Sequence, residues 1–213
     1  MEMEIKKAIF DFAFGEALVD ATRRAYAPKN KDHNKEYIRS KSRDSVEKYI
    51  NSILNFKEVS LEETAKEICD KVGEKAFTFG NAQKLINMTA KYLYSVCYFD
   101  ISKRNKFEHF DCPLDRQMKE AVVKKYKKAV KSGLIDSDNS ILKINWDKVA
   151  WSKLTTDECE EINTIEAYRA YQKMVTLLAN CEDPDGKEKP EKLFPLEYDF
   201  WLWNKFDEAE TQN

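Results

Sequence analysis

Apolar residues recur at three- and four-residue intervals along most of this chain, and only five glycines and five prolines interrupt 213 residues. Such a pattern folds as packed helices rather than as sheet. The first helix is expected to bury Ile5, Ile9, Phe12 and Leu18, and a second Val46, Tyr49, Ile50, Ile53 and Leu54. Between them, residues 23–43 hold eight bases, two acids and Pro28 and read as a basic loop. Ser60 followed by Glu63 has the form of a capping box and starts a helix through Ile68 that stops near Gly73. Residues 81–98 form the cleanest amphipathic segment. On a wheel of about 100° per residue, Ala82, Leu85, Ile86, Leu93, Val96 and Cys97 share one arc, and Lys84, Lys91 and Ser95 lie opposite. Pro113 suits the first turn of another helix, running to residue 131. Ile141, Leu142, Ile144 and Trp146 suit a short strand or an extended packing segment. A further helix covers 164–179 and buries Ile165, Tyr168, Met174, Val175 and Leu178, and 181–192 is a Pro- and Gly-containing loop. Pro195 then opens a last helix whose Phe200, Trp201, Trp203 and Phe206 need a surface to pack on. The expected architecture is mainly α: a compact helical bundle, with one short strand pair at most, in a single domain spanning 1–213.

Charge is distributed unevenly. The formal net charge is -2, but residues 155–213 carry 15 acids against 6 bases, leaving residues 1–154 with 30 bases and 23 acids. An acidic carboxyl-terminal region therefore masks a basic body. The most basic helix holds Arg116, Lys119, Lys124, Lys125, Lys127, Lys128 and Lys131 against Glu120. A 35% charged fraction with 42% hydrophobic residues excludes low-complexity and collagen-like chains. No apolar run approaches the roughly 18 residues of a membrane span. Five scattered cysteines, Cys69, Cys97, Cys112, Cys159 and Cys181, include no CxxC pair, which favours a reducing compartment. A cytoplasmic protein with no membrane partner is expected.

Two short segments carry the chemistry. Gly80-Asn81-Ala82-Gln83-Lys84 places a lysine one turn into a helix, and Cys112-Pro113-Leu114-Asp115-Arg116 places an aspartate at the next helix start, 31 residues after that lysine. Taken singly, Lys84 reads as a solvated lysine on a polar face and Asp115 as an acid favoured by a helix dipole. In this order and at this separation, the pair resembles the helix-hairpin-helix DNA glycosylases, in particular the 8-oxoguanine glycosylase branch, as a compact and divergent bacterial member. The resemblance covers about residues 75–130. It departs from the family at Thr78-Phe79-Gly80, which holds one glycine where the family's hairpin turn has two.

The resemblance implies Lys84 as the nucleophile at the sugar C1′, forming a Schiff base, and Asp115 as the catalytic carboxylate. Such chemistry needs an amine free of its proton, which partial burial or a neighbouring cation such as Lys91 favours. A carboxylate beside the sugar opposes the charge of an oxocarbenium-like transition state. A lysine nucleophile also permits strand cleavage by β-elimination. The expected partner is double-stranded DNA with a modified or damaged base, in repair or in defence against phage DNA. Phosphates would be met by Arg116, Lys119, Lys124 and Lys127, and a flipped nucleotide by Phe79, Gly80, Gln83, Asn87, Lys91, Phe110, Cys112 and Trp151. For each aromatic, an ordinary core position is the competing reading. No cofactor is implied.

Two rival constellations are weaker. His109 and Cys112 are spaced too closely for a nucleophile and its base, with no orienting third group. Cys97, His109, Asp111 and Cys112 lack the paired short spacing of a zinc site on one side, so no metal is expected. From a different class, a non-catalytic helical module binding nucleic acid or protein requires Lys84 exposed and far from Asp115.

Overall fold

The computed structural model describes residues 2–23, 26–96, 101–156, 162–190 and 192–210. Cys97, Cys159 and the Phe206 side chain lie outside what is described. Helix dominates: α1 (Glu2–Thr22), α2 (Lys35–Leu54), α3 (Leu61–Val72), α4 (Phe79–Val96), a 3-10 helix (Ile101–Phe107), α5 (Arg116–Lys131), the one-turn α6 (Asn139–Leu142), a 3-10 turn (Trp151–Lys153), α7 (Ile165–Asn180) and α8 (Pro195–Glu210). Among the described residues there is no strand, only an isolated bridge between Thr155 and Thr164. None of these helices is long and apolar enough to cross a membrane. A single apolar cluster draws residues from all eight α-helices.

Local chemistry explains the boundaries. The Asn34 side chain accepts from the Glu36 and Tyr37 amides and opens α2 at Lys35, well inside the expected basic loop. Residues 35–43 are therefore helical. Their single strongly apolar contact, Ile38, is sealed with Ser42 and Ser45 against the core, and small polar side chains stand where apolar ones would have signalled a helix. Ser60 caps α3 through the Glu63 amide, and Gly73 ends it at φ 63°, the left-handed turn that glycine adopts without strain. Asp138 caps α6 through Ser140, so residues 139–142 make a helical turn where a strand was an option.

Helix α1 rotates away from its expected face. Phe12 is 60% exposed and Ile5 54%, whereas Phe10, Ala13, Phe14, Ala17, Leu18 and Ala21 are buried. Charged residues, Glu4, Lys7, Asp11, Glu16 and Asp20 among them, are spread around this helix between apolar ones, so periodicity alone selects no face. Packing does, because Ala13, Ala17 and Ala21 form a small-residue stripe along the helix whose main neighbour is α4. Helix α4 is the axis of the molecule: every residue from Phe79 to Ala90 is buried, including Asn81, Gln83, Lys84, Asn87 and Thr89. Of the expected solvent face of α4, Lys84 is buried and Lys91 half-buried, because Asp115, Trp151 and the α8 side chains cover the lysines, while Ser95 is exposed as expected.

The acidic carboxyl-terminal region closes onto the basic body. Asp183 and Asp185 take Lys125, Asp185 also takes Lys128, Glu197 takes Arg104, and Asp199 takes Lys91. This pairing turns the uneven charge of the sequence into contacts between α8, the 181–192 loop and the preceding helices.

Candidate functional site

The site begins with how α4 starts. Thr78 Oγ1 accepts from the Asn81 amide, and Asn81 Oδ1 accepts from the Thr78 amide and hydroxyl, a reciprocal cap. Gly80 then meets the 151–154 segment at backbone distance: a Cβ there would lie 1.7 Å from the Trp151 carbonyl oxygen. The Gly80 amide donates to Leu154 O at 3.2 Å, and the one Thr78 hydroxyl proton is shared between Asn81 Oδ1 and Ser152 O, each 2.9 Å away. Glycine is required here for close approach of protein to protein. Gly80 was expected beside a flipped nucleotide, and its N–H is instead taken by Leu154 O.

This docking brings the Trp151 ring over Lys84, with Nζ 4.6 Å from the ring centroid. The loop beneath Trp151 is held in turn by Lys119, whose Nζ donates to Trp146 O and Val149 O at 2.8 Å each. Lys119 is buried, and that burial pulls its pKa down. It was expected on a phosphate; with its ammonium spent on two carbonyls, it supports the loop.

Asp115 is placed by an equally dense set of bonds. Three successive carbonyls before it each accept from a buried or half-buried side chain: Cys112 O from Gln172 Nε2 at 2.8 Å, Pro113 O from the Tyr171 hydroxyl at 3.2 Å, and Leu114 O from Gln83 Nε2 at 3.1 Å. The Cys112 amide returns to Gln172 Oε1 at 3.1 Å. Asp115 caps α5, Oδ1 accepting from the Met118 amide at 2.9 Å, while Oδ2 lies 3.5 Å from Lys84 Nζ. Pro113 therefore precedes the helix rather than sitting in its first turn, because Asp115 takes the capping position.

The lysine and aspartate side chains are 11% and 19% exposed, so the pair is enclosed but reachable. A cavity of about 450 Å³ opens on it, lined by Lys84, Asp115, Arg116, Gln117, Glu120 and Trp151. A second of about 350 Å³ shares Arg116, Glu120 and Trp151 and adds Asp147 and Ser152. From this mouth an exposed stripe runs along α5 through Arg116, Glu120, Lys124, Lys127 and Lys131, spaced to share one helix face for about 22 Å. Arg116 pairs with Glu120 at 3.0 Å. Lys125 and Lys128 leave the basic surface, being tied to Asp183 and Asp185.

Several residues expected at a ligand serve the interior. Phe79 packs edge-on against Tyr168, and Phe110 lies among Tyr49 and Phe107 with no exposure. Gln83 and Asn87 are fully buried, Asn87 Nδ2 donating to the Tyr168 hydroxyl at 3.0 Å. Cys112 is buried against the Tyr171 hydroxyl, and burial holds its thiol well above the ordinary range, which rules out a thiolate partner for His109. Lys91 is not beside Lys84 but two turns on, paired with Asp199 and facing the Phe200 and Trp203 rings. Among the described residues no group of three His, Cys, Asp or Glu side chains is arranged for a metal ion. Cys97 of the four-residue metal set lies outside them.

A larger cavity, about 910 Å³, lies elsewhere, between α2, α3 and the segment before Cys112; Lys48, Tyr49, Phe56, Glu67, His109 and Asp111 are among its lining. Burial pushes Asp111 up to about 6, and its Oδ2 accepts from the Tyr168 hydroxyl at 2.7 Å. Comparison with models of known protein families, with curated proteins and with solved structures finds no match to this chain.

Proposed function

We propose that this protein is a DNA glycosylase-like enzyme that excises a damaged or modified base through a lysine Schiff base. One observation carries the reading: a lysine amine 3.5 Å from a carboxylate, under an indole ring, at the mouth of a cavity. Surface lysines are seldom held this way, since enclosing a charge is unfavourable without compensation.

In this reading Asp115 Oδ2 accepts a proton from the Lys84 ammonium as substrate enters. The freed amine attacks C1′ as the N-glycosidic bond breaks, and the departing base takes the proton that Asp115 had accepted, which returns Asp115 to its carboxylate. The proton carried by the attacking nitrogen passes to the ring oxygen O4′. Ring opening gives the imine between Lys84 and C1′, which water hydrolyses or which β-elimination resolves with strand cleavage. The Asp115 carboxylate opposes the positive charge that develops on the sugar. Trp151 supplies a flat apolar wall for the extruded nucleotide. Arg116, Lys124, Lys127 and Lys131 lead away from the cavity as a phosphate track, so affinity for duplex DNA should fall steeply with salt. Repair of damage and removal of modified phage bases are the two settings such chemistry serves.

The test is borohydride trapping on duplexes carrying oxidised, alkylated or phage-type modified bases or an abasic site. A covalent adduct that disappears in Lys84→Ala is expected. No adduct on any duplex, or an adduct undiminished in Lys84→Ala, would sink the reading. Salt-sensitive DNA binding without an adduct would favour the non-catalytic binding module.

A further inference from the structure

Lys84 and Asp115 belong to different helices, so something must fix the distance between them. Their immediate predecessors in sequence, Gln83 and Leu114, are joined directly. Gln83 Nε2 donates to Leu114 O at 3.1 Å, and the Leu114 amide donates to Gln83 Oε1 over a longer 3.4 Å. One side-chain amide thus takes both backbone polar groups of the residue before Asp115. The amide's remaining capacity is also used: Nε2 donates to Gly80 O at 3.0 Å, and Oε1 accepts from Asn87 Nδ2 at 3.3 Å. Gln83 is fully buried, so no water competes for these bonds.

We infer that Gln83 is a positioning residue for the candidate pair, setting the Lys84 amine against the Asp115 carboxylate by clamping Leu114 to the first turn of α4. Only glutamine meets the requirement. Glutamate keeps the acceptors and loses both donors, leucine loses all four, and asparagine is one methylene short. The Gly80 contact adds a second consequence, because the same amide binds the carbonyl of the residue against which Trp151 docks. Lysine, aspartate and indole are therefore referred to one buried side chain. Gln172 grips Cys112 in a parallel way, two residues further back, where Gln83 bonds both Leu114 and the first turn of α4.

The inference rests on the Lys84–Asp115 pair being the working site, yet its test needs no DNA. Carbon NMR of labelled aspartate carboxyls at fixed pH reads the surroundings of the Asp115 carboxyl, and the displacement of its resonance by Lys84→Met measures how closely the two groups are held. In the wild-type background a clear displacement is expected; in Gln83→Leu it should fall to less than half. Gln172→Leu removes two comparable backbone bonds from the same segment, three residues before Asp115 rather than next to it, and should lower the displacement by clearly less than Gln83→Leu does, which separates positioning from general destabilisation. An undiminished displacement in Gln83→Leu, or equal losses in both backgrounds, would overturn the inference. Should Gln83→Leu fail to fold, Gln83→Glu keeps the size and the acceptors and is expected to show a partial loss; a full displacement in it counts against the clamp. An unprotected Leu114 amide in hydrogen exchange of the wild-type protein also overturns it. A wild-type adduct with coupling indifferent to Gln83 defeats the inference alone, whereas lost coupling with no adduct anywhere defeats the glycosylase reading alone.

Discussion

Helix α4 carries two lysine–carboxylate pairs, two turns apart, whose lysines are similarly enclosed, 11% and 13% exposed, and whose carboxylates differ, 19% exposed for Asp115 and none for Asp199. Lys84 meets Asp115 under Trp151, and Lys91 meets Asp199 beside Phe200 and Trp203. The Asp199 side chain has no exposure and lines no cavity described above, while Asp115 stands at an open mouth. The same chemistry thus serves as a rivet where it is sealed and as a candidate reactive centre where it is not. What differs is the third partner: α8 brings the side chains of Asp199, Phe200 and Trp203 to the second pair, whereas Trp151 of the Trp151–Lys153 turn covers the first.

The largest expected effect comes from breaking the sealed pair. Removing one member of a buried ion pair typically costs about 3–5 kcal/mol, and Lys91→Met should approach that at pH 7 by urea unfolding. The loss should shrink at pH 5. Burial pushes Asp199 up to about 6 although Lys91 pulls the other way, so the folded state holds a proton that the unfolded chain releases. Its contribution is complete below the unfolded value near 3.8 and is lost as pH rises through about 6. At pH 5 the wild-type pair is already mostly protonated at Asp199, and removing Lys91 matters less. Equal losses at the two pH values would show that Asp199 is not the group responding.

Gly80→Ala attacks the cover of the open pair. Its Cβ would overlap the Trp151 carbonyl, backbone against backbone, and overpacking of this kind costs about 1–3 kcal/mol. The Trp151 indole signal in NMR should shift, and the trapped adduct should fall. Signals around Lys91 and Asp199 should stay in place. A variant in which Trp151 does not move would mean that the 151–154 segment is held by Lys119 and Asn163 rather than by its contact with α4.

These contrasts show why parts of the molecule were legible in sequence and others were not. The Ser60 cap and Gly73 stop of α3 are local signals, and local signals survive into the fold. The order of Lys84 and Asp115 was also readable, because each sits in a short segment at a helix start. Burial of α4's lysines was not, since it depends on Asp199, which meets Lys91 from 108 residues away, and on Trp151 and the Cys112–Asp115 segment, which reach Lys84 from 67 and 31 residues away. Lys119 illustrates the limit: in sequence it is one of several lysines on α5, and only the carbonyls of Trp146 and Val149 distinguish it. Gln172 and Tyr171, which grip the segment before Asp115, likewise leave no mark in the periodicity of α7 beyond that of an ordinary helix.

The smallest effects on stability belong to the open pair, and there the comparison is most exposed to refutation. Asp115 has a second duty as the cap of α5, so Asp115→Ala should cost about 1 kcal/mol through the lost Met118 bond. Asn caps about as well as Asp, so Asp115→Asn should cost less than half of that. Lys84→Met should cost clearly less than Lys91→Met, because the Asp115 carboxylate it leaves behind is 19% exposed at a cavity and can be rehydrated, whereas Asp199 has no exposure. Both Asp115→Asn and Lys84→Met should nevertheless remove the adduct. If urea unfolding found Lys84→Met as damaging as Lys91→Met, the open pair would be a second rivet. The cavity beside it would then be a gap in packing rather than a place for substrate.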